Sequence, residues 1–331
     1  MKNDAWNIDK NHFPTQGDFY DQARFLLRYA ILAPSGHNSQ PWKVKIADHQ
    51  IIILPDYDRG RDVVDPKNRE MFVSLGAFAK NLELAISHFG IGFTQNVIND
   101  RIEFNFLDRL NPVPDDGLFS AITRRSTYRL EFTPQKVDPK VVKLLESVNC
   151  PDTKVYLYDQ PEVIEKVADK AQHADLVWFK SKHLIKELEE WLRDDVEMAK
   201  DGLPTGVINM YKIAAEAKYL FSKDSQQAKK VAAEDTNMTR SSALVAVVAT
   251  SIDDIDHWIN AGRVYEELAL TAAFNGLSNG IIGSLVQLTG MRNELSSLLN
   301  IPEHIQMVLT IGYPQVKVPS TPRRPLAELL V

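Results

Sequence analysis

Three short segments of this 331-residue chain carry side chains that could hold a charged, planar ligand. The first is Ala33-Pro34-Ser35-Gly36-His37-Asn38-Ser39-Gln40-Pro41-Trp42. Ser35, Asn38 and Gln40 bring hydroxyl and amide groups that both donate and accept hydrogen bonds, as the edge of a heteroaromatic ring requires. A helix C-cap and turn with no ligand would use the same residues. The second is Arg124-Arg125-Ser126-Thr127-Tyr128-Arg129. Guanidinium and hydroxyl groups together suit a phosphate, because arginine offers two parallel charge-assisted hydrogen bonds. A solvated basic turn is the plainer account of that run taken alone. The third is Arg323-Arg324, in a tail where Pro319, Pro322 and Pro325 hold the backbone extended, which makes a fixed position for the two charges. The stretch Gly280-Ile281-Ile282-Gly283-Ser284 adds backbone N–H groups that a flat ligand can approach closely, since glycine has no side chain.

Other chemistries find no support. Neither a GxGxxG fingerprint nor a Walker loop occurs. The eight histidines show no HExxH or comparable ligand spacing, so no metal site is expected. His37 beside Asn38 is read as a structural hydrogen-bonder, and no catalytic acid or base is nominated. The lone Cys150 excludes an internal disulfide framework and suits a reducing, cytoplasmic setting. A net charge of -6 with no basic tract argues against general nucleic-acid binding. The absence of a long uncharged apolar run argues against a membrane span, and the polar start against a signal peptide.

The elements that must position these segments are legible in part. Residues 19–33 have the spacing of an amphipathic helix that ends at Pro34. Residues 42–46 and 51–54 alternate as a hairpin. A second helix is expected over 72–90, stopped by Gly90, and a strand over 101–106. Asn111 to Gly117 has linker composition, dividing the chain into an N-terminal half, 1–111, and a C-terminal half, 112–331. Asp138-Pro139 is a helix start, with Asp as the cap and Pro at the first helical position. Strands are expected at 154–158, 243–250 and 306–311, and helices over 161–200, 258–277 and 291–299. Residues 204–240 mix weak helical pattern with charge, as a lid or a solvated excursion would.

The halves echo each other. Leu75-Gly76-Ala77-Phe78 through Leu84 resembles Ala261-Gly262-Arg263-Val264 through Leu270, at an offset of 186 (262 minus 76). Helix 19–33 with strand 42–46 corresponds to helix 139–148 with strand 154–158. A fused repeat can rebuild the interface of a two-fold dimer inside one chain.

In this order and spacing, the segments resemble the nitroreductase family, in particular its fused-repeat branch typified by the mycobacterial Acg proteins. The resemblance runs from about residue 20 to 330 and is carried by Ala33 to Trp42, by Leu54-Pro55-Asp56-Tyr57-Asp58-Arg59 through Asp65-Pro66-Lys67-Asn68-Arg69, and by Gly312-Tyr313-Pro314 with Pro322-Arg323-Arg324-Pro325-Leu326. It implies an α+β sandwich, a central and mostly antiparallel sheet flanked by helices, with two tandem repeats forming a pseudo-dimer. It implies FMN as cofactor. Arg124 and Ser126, with Arg125 between them, match the family's phosphate clamp. Arg323 and Arg324 match its basic tail, and Pro34, Ser35, Asn38 and Gln40 match the loop that the partner subunit supplies. Ile282, Gly283 and Ser284 fall where relatives present backbone N–H groups near the flavin N5. The first half lacks its own clamp, and Asn149-Cys150-Pro151-Asp152 stands where a second loop would be, so one composite site per chain is expected.

The activity implied is an FMN-dependent oxidoreductase that takes hydride from NADH or NADPH and reduces small-molecule acceptors such as nitroaromatics or quinones. A lid-closed protein that sequesters or stores FMN with little turnover would have the same sequence features. The chain is expected as a pseudo-dimeric monomer, with a further homodimer open.

Overall fold

The computed structural model describes residues 4–109, 117–194, 198–204 and 225–331. Its first half begins with helix α1 (Phe19–Ala30), capped by the Asp18 carboxylate, which accepts from the Asp21 N–H. Ala23, Leu26, Leu27 and Ala30 form its buried stripe, at the helical spacing seen in the sequence. Strands β1 (Trp42–Ala47) and β2 (Gln50–Pro55) form the expected hairpin, and helix α2 (Arg69–His88) follows. Strands β3 (Ile91–Ile98) and β4 (Arg101–Arg109) complete an antiparallel sheet of order β1-β2-β4-β3.

The second half begins with a short helix, α3 (Leu118–Ala121), and then α4 (Pro139–Glu146), capped as expected by Asp138 with Pro139 in the first turn. Strand β5 (Thr153–Tyr158) leads into α5 (Pro161–Trp178) and α6 (Lys182–Glu190). The helical stretch expected over 161–200 is therefore two helices, broken at Phe179–Ser181 and ended at Trp191. A two-residue parallel pair, β6 (Leu192–Arg193) and β7 (Leu203–Pro204), closes that excursion. Residues 225–240 of the lid candidate belong to helix α7 (Ser225–Ser241), tied to α5 by Arg240, which binds Glu165 and Asp169. The rest of that candidate, 205–224, lies outside the described residues.

Strand β8 (Leu244–Thr250) is buried along its whole length, as its unbroken apolar sequence requires. Helix α8 (Ile255–Phe274), strand β9 (Ser278–Ile281), helices α9 (Ser284–Gln287) and α10 (Thr289–Leu299), and strand β10 (His304–Gly312) follow. The second sheet is antiparallel with the order β5-β8-β10-β9. Strand for strand this is the order of the first sheet, and α8 takes the place there that α2 has in the first.

Helices α2 and α8 pack against each other between the sheets, and residues of both halves share one continuous hydrophobic core. The chain then crosses back. After β10 the tail runs to the first half, where Val44 N–H donates to Leu329 O and Val331 N–H to Val44 O, extending the first sheet beside β1. That return carries Arg323 and Arg324 to the loop that follows α1.

Candidate functional site

The loop between α1 and β1 is unusual in its backbone. His37, Asn38 and Gln40 all have positive φ, at 51°, 53° and 51°, in the left-handed region that non-glycine residues seldom enter. Side chains hold it there. Ser35 Oγ accepts from the Gln40 N–H at 2.9 Å. Asn38 Nδ2 donates to Gly202 O and Pro322 O, while its Oδ1 accepts from Arg323 Nη1 at 3.0 Å. Gln40 Nε2 donates to Lys200 O and its Oε1 accepts from the Arg324 N–H. The amides of Asn38 and Gln40 therefore splint this loop to the tail and to residues 200–202. Both side chains are buried, and these bonds hold their amides within the protein.

Two adjoining cavities open beside the loop. The larger, about 220 Å³, is lined by Pro34, Ser35, Gly36 and His37 from the loop and by Ile281, Ile282, Gly283 and Ser284 from the end of β9 and the start of α9. Trp178, Leu188, Leu203, Met238 and Tyr265 supply much of its apolar wall. The smaller, about 40 Å³, is lined by Arg125, Ser126, Thr127, Arg129, Asn38, Trp6 and Arg323. Pro34, Ser35, Thr127, Arg129 and Leu203 line both, so the two spaces share a wall.

The basic run after α3 reaches this place because it is laid along β9: Tyr128 N–H donates to Asn279 O, and Thr127 bridges Asn279. Arg125, Ser126, Thr127 and Arg129 all line the small cavity there. Arg124 does not line either cavity. It is exposed, bonded to Ser120 and laid over the Phe274 ring. The set that meets the small cavity is thus Arg125-Ser126-Thr127 with Arg129, one residue further along the chain than the Arg124-Arg125-Ser126 grouping. Of the tail pair, Arg323 lines the small cavity, whereas Arg324 turns to Gln40 O, Glu328 O and the Asp56 carboxylate.

Of the N–H groups expected from 282–284, that of Ile282 is taken by Val308 O. Gly283 and Ser284 stand at the opening of α9, where the first backbone N–H groups have no intrahelical acceptor. Ser284 Oγ is buried without a hydrogen-bond partner.

Several charged residues of the site were not singled out in the sequence. Arg61 lies against Gly36 so closely that a Cβ there would fall 2.2 Å from its Nη2, which is why this position takes glycine. Arg61 Nη2 donates to Glu70 Oε2 at 2.6 Å, and its Nη1 is buried with no hydrogen-bond partner among the described residues. Arg69 and Gln287 also bond Glu70. Burial alone would raise the Glu70 carboxyl, but Arg61 and Arg69 hold it below the usual carboxylate range. Burial, reinforced by Arg61 and Arg129, drives the His37 imidazole well below its ordinary value and keeps it neutral. Beneath the small cavity, Arg125 Nε faces Oε1 of the fully buried Glu266 at 3.4 Å as an ion pair, while Arg125 Nε and Nη1 and both Glu266 oxygens have no hydrogen-bond partner among the described residues.

The loop, the basic run and the returning tail of this α+β chain thus enclose adjoining apolar and cationic spaces. No family model matches the chain. It is 24% identical over 336 residues to the Mycobacterium tuberculosis protein described as "Putative NAD(P)H nitroreductase acg", covering 93% of this chain and 95% of that one. It is 23% identical over 336 residues to "Putative NAD(P)H nitroreductase Rv3131" of the same organism, covering 96% and 92%. The chain is thus similar, over more than nine-tenths of its length, to proteins named as NAD(P)H nitroreductases. Among solved structures it is similar to nitroreductase A from Vibrio parahaemolyticus (13% identity, TM-score 0.40, 64% of this chain and 74% of that one). It is also similar to a nitroreductase with bound FMN from Desulfitobacterium hafniense (12%, TM-score 0.40, 63% and 94%).

Proposed function

We propose that the chain binds FMN across the two adjoining cavities and acts as an NAD(P)H-dependent oxidoreductase on small, electron-poor acceptors such as nitroaromatics or quinones. The observation that carries this reading is Arg125: a buried guanidinium whose Nη1 has no hydrogen-bond partner among the described residues and which lines a small cationic space next to a larger apolar one. A buried charged donor left unsatisfied is costly, and a phosphate oxygen would satisfy it. The full-length similarity to proteins named as NAD(P)H nitroreductases supports the same reading.

Arg125, Ser126, Thr127, Arg129 and Arg323 would hold the phosphate. Pro34, Ser35 and the chain at Gly283 and Ser284 would flank the ring system in the larger space. When bound, FMN supplies the two-electron chemistry, accepting hydride from NADH or NADPH and passing it to the acceptor. Arg61 keeps a positive donor, Nη1, at the larger cavity, where it can stabilise negative charge on a bound ring or acceptor. Neutral His37 is a poor proton donor there, so protonation of product is left to water.

The same reading takes the chain as two fused halves, 1–111 and 112–331, with one composite site between them. Steady-state consumption of NADH or NADPH by the FMN-loaded protein, with a nitroaromatic or a quinone present, tests it. Acceptor-dependent turnover is expected. Retained FMN with no turnover on any acceptor would favour the sequestering alternative.

A further inference from the structure

Glu266 sits in the middle of α8 with no exposed surface, one helical turn beyond Gly262 and next to Tyr265, which lines the larger cavity. A carboxylate buried in an apolar helix face is costly unless it meets a charge. The charge it meets is Arg125, itself only 2% exposed, whose Nε lies 3.4 Å from Glu266 Oε1. Arg125 Nη2 reaches Leu32 O at 3.4 Å. A guanidinium is a rigid planar fork, so the ion pair on its Nε side and the Nη2 bond to Leu32 O together orient the remaining nitrogen, even though Nε makes no hydrogen bond to Glu266. That nitrogen, Nη1, has no hydrogen-bond partner among the described residues. The other groups facing Glu266 are Asn81 from α2, Arg323 from the tail and Tyr265 on α8 itself.

We propose that Glu266 is the positioning residue of the phosphate arm: it grips Arg125 so that Nη1 faces the small cavity, and it is the resident counter-ion with which a ligand's phosphate competes. This rests on the FMN reading above. The sign of the linkage follows from the geometry. A phosphate brought to Arg125 adds negative charge next to the Glu266 carboxyl, so phosphate binding favours the protonated carboxylic acid. The protonated form leaves Arg125 free for the phosphate, and the ionised form opposes it. Burial raises the Glu266 carboxyl to about 7, against the pull of Arg125, Asn81 and Arg323, so this competition falls in an accessible range.

The test compares FMN with riboflavin, which lacks the phosphate, on the flavin-depleted full chain from about pH 6 to about pH 9. In the unaltered protein, the affinity advantage of FMN over riboflavin is expected to fall about tenfold as pH rises through this range, a one-unit shift in the coupled group. In Glu266→Gln that fall disappears, while riboflavin affinity stays the same. The phosphate's own second ionisation, near pH 6, strengthens FMN binding with rising pH and so cannot mimic the effect. A Glu266→Gln variant that keeps the original profile overturns the proposal. Should that variant fail to fold, proton uptake decides: FMN binding near pH 8, measured in two buffers of different ionisation enthalpy, takes up protons that riboflavin binding does not. Equal uptake for the two flavins overturns the proposal. Arg125→Ala separates this from the underlying reading. Loss of the FMN advantage in Arg125→Ala with no Glu266 effect removes only the role of Glu266. An FMN advantage unchanged in Arg125→Ala removes the phosphate placement itself.

Discussion

Gly76 of α2 and Gly262 of α8 meet reciprocally where the two helices cross: a Cβ on Gly76 would lie 2.0 Å from Ile259 O, and a Cβ on Gly262 would lie 2.0 Å from Val73 O. Both contacts are with backbone, which cannot swing aside as a side chain can. Each glycine therefore sets how closely the two halves of the core approach. Alanine at either position is expected to destabilise the protein by about 1–3 kcal/mol through overpacking, read as a shifted denaturant midpoint. Wild-type stability in both alanine variants would contradict this contact.

Arg124 and Arg125 are neighbours in sequence with opposite surroundings. Arg124→Ala removes an exposed side chain and is expected to leave FMN affinity within a factor of about two, the usual scale for surface changes. Arg125→Ala removes the buried guanidinium at the small cavity and is expected to weaken FMN binding by about tenfold or more, the scale of a charge-assisted hydrogen bond. Flavin fluorescence quenching on titration measures both, and the reverse ranking would misplace the phosphate.

Asn38 bonds Gly202 O, Pro322 O and Arg323 at once. Asn38→Ala leaves those buried groups short of partners, at an expected cost of about 1–3 kcal/mol. Limited proteolysis should then cut the tail after β10 faster than in the unaltered protein. Equal cleavage rates would show that the splint does not hold the tail.

Glu266 also gives the flavin-free protein a pH signature. Its carboxyl is raised by burial from an ordinary 4.5 to about 7, so the folded state binds a proton that the unfolded state has lost. Its contribution to stability is fully present below about pH 4.5 and is lost as pH rises to about 7, by up to roughly 3 kcal/mol. Glu266→Gln should flatten that part of the stability–pH curve. Parallel curves for the two proteins would contradict the raised value.

What the sequence made legible was periodic. Helices α1 and α2, the β1–β2 hairpin, the Asp138-Pro139 start of α4 and the unbroken apolar β8 all follow from local pattern. Strand β9 does not: Ser278-Asn279-Gly280-Ile281 has weak strand propensity and exists through its pairing with β10. Strand β3 was also missed, because its solvent face carries Thr94 and Asn96 between partly buried positions. At the site, the segments singled out in the sequence line the two cavities together, while the direction of individual side chains rests on distant contacts. Whether Asn38 and Gln40 face a ligand depends on a tail more than 280 residues away. Whether Arg124 or Arg125 faces the cavity depends on where Thr127 and Tyr128 meet Asn279 of β9. Glu266 did leave a signal: of the adjacent carboxylates Glu266 and Glu267, it is the one that falls at helical spacing with Ile259, Gly262 and Ala269 on the apolar face.

The most direct measurement of the central claim is the visible spectrum of the purified, FMN-reconstituted protein before and after anaerobic addition of NADH or NADPH. The account predicts a bound yellow flavin that bleaches promptly with one of the two nucleotides and recovers its colour when a quinone or nitroaromatic is added. A protein that stays colourless after incubation with FMN would contradict it.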